Sequence, residues 1–121
     1  MEEHVLQGTT CIVTGGGRGL GYSMVKALAE AGANVMAAMH IDDDILPETE
    51  SFPGTVKKIV ADIRDPLICK EIVSKTVSAF GTVDVLVNNA GVGMLLVSET
   101  FNRNPTKFWD VEPTAWAQII A

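Results

Sequence analysis

Apolar positions recur in two rhythms along the chain. Thr9 to Val13 is a short β-branched run bounded by Gly8 and Gly15, which predicts a buried strand. From Gly19 to Ala31 the rhythm changes: Leu20, Met24, Leu28 and Ala31 fall at helical spacing, and Gly32 stands where a helix end favours a left-handed residue. Val35 to Met39 then predicts a second strand and Thr55 to Ala61 a third. Asp65-Pro66 marks a helix start, because Asp accepts orphan N–H groups and the missing donor of proline is harmless at the first helical position. Ile68, Ile72, Val73, Val77 and Phe80 are expected to line the buried face of that helix, and Gly81 to close it. Val83 to Val87 reads as a fourth strand, apolar except for Asp84. Continuous apolar strands separated by helices imply an α/β fold with a parallel sheet covered on both faces. Between the second and third strands, Asp42, Asp43, Asp44, Glu48 and Glu50 with two prolines predict a solvated loop holding at most a short helix.

Length and composition narrow the function classes. A chain of 121 residues, 47% hydrophobic and 20% charged, reads as one globular domain, too short to hold a catalytic domain and a separate substrate domain. No unbroken apolar stretch has the length of a membrane span. The acidic start Met-Glu-Glu-His lacks the character of a signal peptide, and two cysteines, Cys11 and Cys69, fit a reducing, cytoplasmic setting. A net charge of -6 with nine scattered Lys and Arg argues against a nucleic-acid partner. A phosphorylated small molecule remains compatible with that charge if backbone donors and one or two cations are local to its site.

The stretch Thr14-Gly-Gly-Gly-Arg-Gly-Leu-Gly21 joins the first strand to the first helix. In that arrangement a helix N-terminus offers unpaired N–H groups and its positive dipole to a pyrophosphate, and a β-carbon would hold the ligand off. The common dinucleotide spacing G-x-G-x-x-G is not met, because the third position falls on Leu20 or Tyr22. The phosphate loop of nucleotide triphosphatases is not met either, since no Lys-Ser or Lys-Thr follows. What fits is Thr14-Gly15-x-x-x-Gly19-x-Gly21. Taken alone, the same glycines also suit a plain tight strand-to-helix turn.

Four features in order resemble the short-chain dehydrogenases/reductases: the Thr14-Gly15-x-x-x-Gly19-Leu20-Gly21 turn, Asp62-Ile63 after the third strand, the Asn-Asn-Ala-Gly tetrad from Asn88 to Gly91, and Trp116 in the helix expected next. The resemblance runs from about Gly8 to Ala121. It implies a Rossmann-type doubly wound sheet, here incomplete with about four strands, binding NAD or NADP. It also implies hydride transfer between the nicotinamide and an alcohol or carbonyl carbon. Carried over by position, it implies that Gly15, Arg18, Gly19, Leu20 and Gly21 contact ribose and pyrophosphate. Asp62 would accept from the adenine amino group with Ile63 beside the ring, and Asn88, Ala90 and Gly91 would pass beneath the nicotinamide-side ribose. Asn89 looks like a strap between neighbouring strands.

The cofactor choice leans weakly to NADP. No acid follows the second strand, where Met39 and His40 stand, and Arg18 is placed where some NADP-preferring relatives keep a cation. The neighbouring Asp42 to Asp44 run opposes that choice. The family's downstream Asn, Ser and Tyr-x-x-x-Lys are expected beyond Ala121, so the chain reads as a cofactor-binding portion with no catalytic residue, inactive alone. Tyr22-Ser23-Met24-Val25-Lys26 spells the same pattern, but Tyr22 opens the helix facing the pyrophosphate, at the wrong end of the cofactor for hydride chemistry. The alternative to an oxidoreductase is a non-catalytic nucleotide-binding or interaction module.

Other candidates carry less. His4 and His40 lack neighbouring metal ligands, Cys11 suits a core position, and Cys69 has no paired His. Val92 to Val111, with Phe101, Phe108 and Trp109, either shapes a substrate pocket or covers core. The resemblance implies that the fourth strand is interior in complete family members. Here its free edge, with the Trp116 helix, is expected to drive self-association or homo-oligomer formation.

Overall fold

The structure, a computed structural model, describes residues 4–40, 51–91 and 107–120, apart from the side chains of positions 108, 116 and 118–120. It comprises two compact units, Met1–Ala90 and Gly91–Ala121. The acidic run from Asp42 to Asp44, most of the Val92 to Val111 segment and the Trp116 side chain lie outside the described residues.

In the first unit, strands β1 (Thr10–Thr14), β2 (Asn34–Met39), β3 (Val56–Val60) and β4 (Val85–Val87) alternate with helices α1 (Gly19–Glu30) and α2 (Pro66–Phe80). The sheet order is β3-β2-β1-β4, and every pair is parallel. Cys11 is in register with Val35 on one side and Val85 on the other, so β1 is held from both sides. The period of two along a strand sends alternate side chains to opposite faces. Cys11, Val13, Val35, Ala37 and Met39 pack with Val25 and Ala29 of α1, while Ile12, Met36 and Ala38 pack with Ile72 of α2. The apolar runs of β1 and β2 are therefore buried at nearly every position, whereas β3 carries Lys57 and Lys58 and is partly exposed and β4 exposes Val85 and Leu86; a helix covers each face of the sheet.

Both helix boundaries of α2 follow from local chemistry. The N–H of Leu67 donates to the Asp65 carboxylate at 2.9 Å, with Pro66 opening the helix. Gly81 ends it in the left-handed region, φ 91°, and its N–H donates to the Val77 carbonyl. Its buried face differs from the expected one. Ile68, Ile72, Thr76 and Phe80 are the inward positions, and Val73 and Val77 are exposed. A strict four-residue step runs through Thr76, which an apolar count passes over; its hydroxyl is satisfied by donating to the Ile72 carbonyl at 2.7 Å, so it is buried without an orphan donor.

Strand β4 is shorter than the apolar run Val83 to Val87. Asp84 leaves the ladder to serve as its terminus: its N–H donates to the Thr10 carbonyl at 2.9 Å and its carboxylate accepts from the Thr10 N–H at 2.8 Å. The one polar residue of that run therefore pins the entry of β4 to the entry of β1.

The second unit contains a 3-10 turn, Phe108–Asp110, and helix α3, Pro113–Ile120. Lys107 lies over the Trp109 ring, 5.4 Å from its centroid.

Candidate functional site

Strand order reverses beside β1. The chain runs outward from β1 through β2 to β3, then returns to place β4 on the other side. In an open parallel sheet such a reversal leaves a crevice beyond the carboxyl ends of the two diverging strands, because their connections leave toward opposite faces. The expected binding residues of the first unit all follow strand carboxyl ends: Gly15 to Gly21 follow β1, Asp62 and Ile63 follow β3, and Asn88 and Ala90 follow β4. Gly91 opens the second unit.

The turn after β1 is locked to the end of β4. The Thr14 hydroxyl accepts from the N–H groups of Asn89 at 3.1 Å and Ala90 at 3.0 Å. The Asn89 amide donates to the carbonyls of Thr14 at 3.2 Å and Gly15 at 3.3 Å. Asn89 is thus a strap between the two strands, as expected, while Thr14 does the complementary work from the other side. The role of Thr14 is not visible in sequence, because its partners lie more than 70 positions away.

The glycines of the turn divide into two kinds. A β-carbon on Gly15 would come within 3.0 Å of the Ala90 Cα, and one on Gly21 would collide with the Gly15 carbonyl oxygen and the Asn89 amide. A β-carbon on Gly16 would press on Ala37 and Val25 at 3.0 Å. These three are glycine because the protein approaches itself there. Gly15 is left-handed as well as crowded, with φ 66°. Gly19 shares the positive φ, 59°, but a β-carbon on it would face open space.

Helix α1 starts without a side-chain cap. Arg18 at its N-cap is extended, with φ -163°, and its side chain makes no capping hydrogen bond; no acid stands in the first turn. The first N–H to reach an intrahelical acceptor is that of Tyr22, donating to the Arg18 carbonyl at 3.2 Å. The preceding N–H groups, at exposed Gly19 and Leu20 and at buried Gly21, are the orphan donors of the helix terminus. α2, by contrast, carries an Asp cap. The positive end of α1, an exposed guanidinium and an open glycine therefore meet beside the crevice, a donor set that fits a bridging diphosphate. Tyr22 and Lys26 stand one turn apart on this same helix.

Beyond β3, Asp62 is gripped by a residue that the sequence pattern did not single out. Arg64 donates to it three ways from its side chain, Nε to Oδ1 at 3.0 Å and to Oδ2 at 3.1 Å, and Nη2 to Oδ2 at 2.7 Å. The Arg64 backbone N–H donates to Oδ1 at 3.0 Å. These hydrogen bonds, with the opposite charge adding, hold the Asp62 carboxyl well below the usual carboxylate range and raise the Arg64 pKa in turn. His40, at the end of β2, places its Nε2 4.0 Å from Oδ2. Ile63 is partly buried against the α2-side core.

The remaining candidates fall elsewhere. Cys11 is fully buried, and burial with the Asp84 carboxylate pushes its thiol above the ordinary value, so it is a core residue. Cys69 is exposed, with its thiol donating to the Ile63 carbonyl. Among the described residues no helix is long and apolar enough to cross a membrane.

Comparison with known proteins agrees with this geometry. A family model described as short chain dehydrogenase matches residues 9–121. A 3-oxoacyl-acyl-carrier-protein reductase of Thermotoga maritima is 38% identical over 90 residues, covering 72% of this chain and 37% of the relative. An L-xylulose reductase of Bos taurus is 39% identical over 90 residues, 74% of this chain and 35% of its own length. Among solved structures, a 3-oxoacyl-acyl-carrier-protein reductase from Brucella melitensis superposes with a TM-score of 0.77 at 27% identity, over 93% of this chain and 43% of that one. The chain spans less than half the length of each of these relatives. With a parallel sheet that reverses at β1, an open-ended first helix and a family match over residues 9–121, the chain belongs to the short-chain dehydrogenases, a family of oxidoreductases.

Proposed function

We propose that the chain is the nicotinamide-dinucleotide-binding portion of an NAD(P)-dependent short-chain oxidoreductase. The observation that carries this reading is the uncapped N-terminus of α1, set at the strand reversal with Gly19 open before it. Gly15, Arg18, Gly19, Leu20 and Gly21 hold the pyrophosphate and its ribose. Asp62 and Ile63 take the adenine. Asn88, Ala90 and Gly91 support the ribose on the nicotinamide side. When bound, the nicotinamide supplies hydride chemistry toward an alcohol or carbonyl substrate. The residues of this chain bind and orient it: N–H groups and Arg18 offset the diphosphate charge, and the Thr14–Asn89 lock keeps the turn from closing on the crevice.

The preferred cofactor is NADP. No acid stands at the carboxyl end of β2, where Met39 is followed by exposed His40, and exposed Arg18 is available to a further phosphate. Tyr22 and Lys26 take no part in hydride transfer, because they sit on the helix that faces the diphosphate. The chain alone binds weakly and does not turn over. Titration calorimetry with NADP and NAD tests this: weak saturable heat with NADP, and less with NAD, is the expected result. No heat with either dinucleotide would remove the reading, and carbonyl reduction by the chain alone would show that a competent acid–base pair lies within it.

A further inference from the structure

Asp62 is expected to read the adenine amino group, yet the structure shows its carboxylate already engaged. An ionised carboxylate has two lone-pair directions on each oxygen. The Arg64 fork takes the pair that face the guanidinium, one on each oxygen, with Nε shared between them. The Arg64 backbone N–H takes the second direction on Oδ1. Three protons thus meet four directions, which leaves about one acceptor direction on the carboxylate, and Oδ2 is the oxygen that the Arg64 backbone N–H does not engage. His40 is the neighbour on that oxygen, and at 4.0 Å its Nε2 is beyond hydrogen-bond distance. Asp62 and Arg64 are also only two positions apart and both partly exposed, 39% and 58% at the side chain, so the pair sits at the surface where a ligand can reach it. Salt bridges so exposed contribute little to folding. The fork therefore matters for what it does to orientation: it fixes the carboxylate plane and, together with the Arg64 backbone N–H, reduces four acceptor directions to about one.

We infer that Arg64 is a positioning residue for base recognition: by gripping Asp62 it leaves a single acceptor, Oδ2, to receive the exocyclic amino group of an adenine. The inference rests on the dinucleotide reading above and adds to it a residue that sets selectivity among bases. Charge is not the mechanism. An unpaired carboxylate is still ionised at neutral pH, so loss of Arg64 removes orientation and leaves the negative charge in place.

The test compares NADP with its 6-unsubstituted purine analogue, in which the 6-amino donor is replaced by hydrogen and no new donor appears at N1. Titration calorimetry on the full chain is expected to give about tenfold tighter binding of the amino form, the scale of one hydrogen bond to a charged acceptor. In Arg64→Ala that ratio falls toward unity through weaker binding of NADP, while the analogue changes little. Arg64→Lys, which keeps the charge without the fork, gives an intermediate ratio, and circular dichroism reports whether each variant is folded. A residue with a merely structural role would weaken both ligands together. Three results would overturn the inference with the dinucleotide reading intact: no amino preference in the unmodified chain, an unchanged ratio in both variants, or tighter NADP binding by Arg64→Ala, which would make the fork a competitor of the base. Failure of the unmodified chain to bind either ligand would remove both.

Discussion

Gly19 and Gly21 stand two positions apart and are glycine for opposite reasons. At Gly21 the Gly15 carbonyl and the Asn89 amide leave no room for a β-carbon, whereas at Gly19 the space is open and φ is positive. Any side chain at this positive φ is strained, although Asp visits the left-handed region more readily than most residues, so Gly19→Asp is expected to lower stability by about 1–2 kcal/mol while the chain stays folded, which thermal melting checks. The added carboxylate would repel a diphosphate, with at least about a tenfold loss of dinucleotide affinity. Equal affinity in calorimetry would show that the phosphates lie elsewhere. Thr14→Val keeps the shape of the side chain and removes the oxygen that accepts from Asn89 and Ala90. Two partly buried N–H groups then lose a partner, and urea unfolding is expected to register a loss of about 1–3 kcal/mol. Asp62 makes a pH prediction. Its folded pKa lies below the unfolded value, so the small stabilisation that this solvent-screened pair contributes is fully present above the ordinary carboxylate range and is lost as pH falls through the lower folded value. Carboxyl carbon shifts followed by NMR should place the Asp62 midpoint below that of ordinary carboxyls, and Arg64→Ala, which keeps the backbone N–H donor, should raise it part of the way back toward them.

The two helices of the sheet are built to different ends. α2 is closed at both termini, by Asp65 and by Gly81, and buries Ile72 and Thr76. α1 buries Gly21, Val25 and Ala29 but begins without a cap. Asp65→Ala should therefore cost about 1 kcal/mol in chemical denaturation, the usual value of an N-cap, with no change in dinucleotide binding. A change in binding would mean that the start of α2 belongs to the site. The four-residue step of α2 also explains why Val73 and Val77 face outward: the helix meets the sheet along one narrow stripe, and these two lie off it.

Among the described residues of the first unit, β1 is paired on both sides and β4 on one, and Val85 and Leu86 are 40% and 55% exposed. An unpaired strand edge beside apolar side chains favours association with another copy. We expect sedimentation or size-exclusion measurements to show concentration-dependent self-association of the chain. A stable monomer at high concentration would show that this edge is covered in some other way.

Much of this organisation was open to reading from the chain as written. Unbroken apolar runs gave β1 and β2 because burial on both faces demands them, β3 forms in spite of Lys57 and Lys58 and β4 in spite of its exposure, and Asp65-Pro66 and Gly81 gave the limits of α2 because caps are local chemistry. The glycine turn, Asp62-Ile63 and Asn88 to Gly91 gave the family because each is short and contiguous. Long-range pairing is what remained hidden. That Gly15, Gly16 and Gly21 are glycine to let the protein pack on itself, that Thr14 accepts from Asn89 and Ala90, that Asp84 leaves its strand to bind Thr10, and that Arg64 occupies Asp62 all depend on where side chains point after folding. Periodicity and spacing constrain neighbours along the chain; contacts between distant positions are set by strand order and packing, and these fix the site.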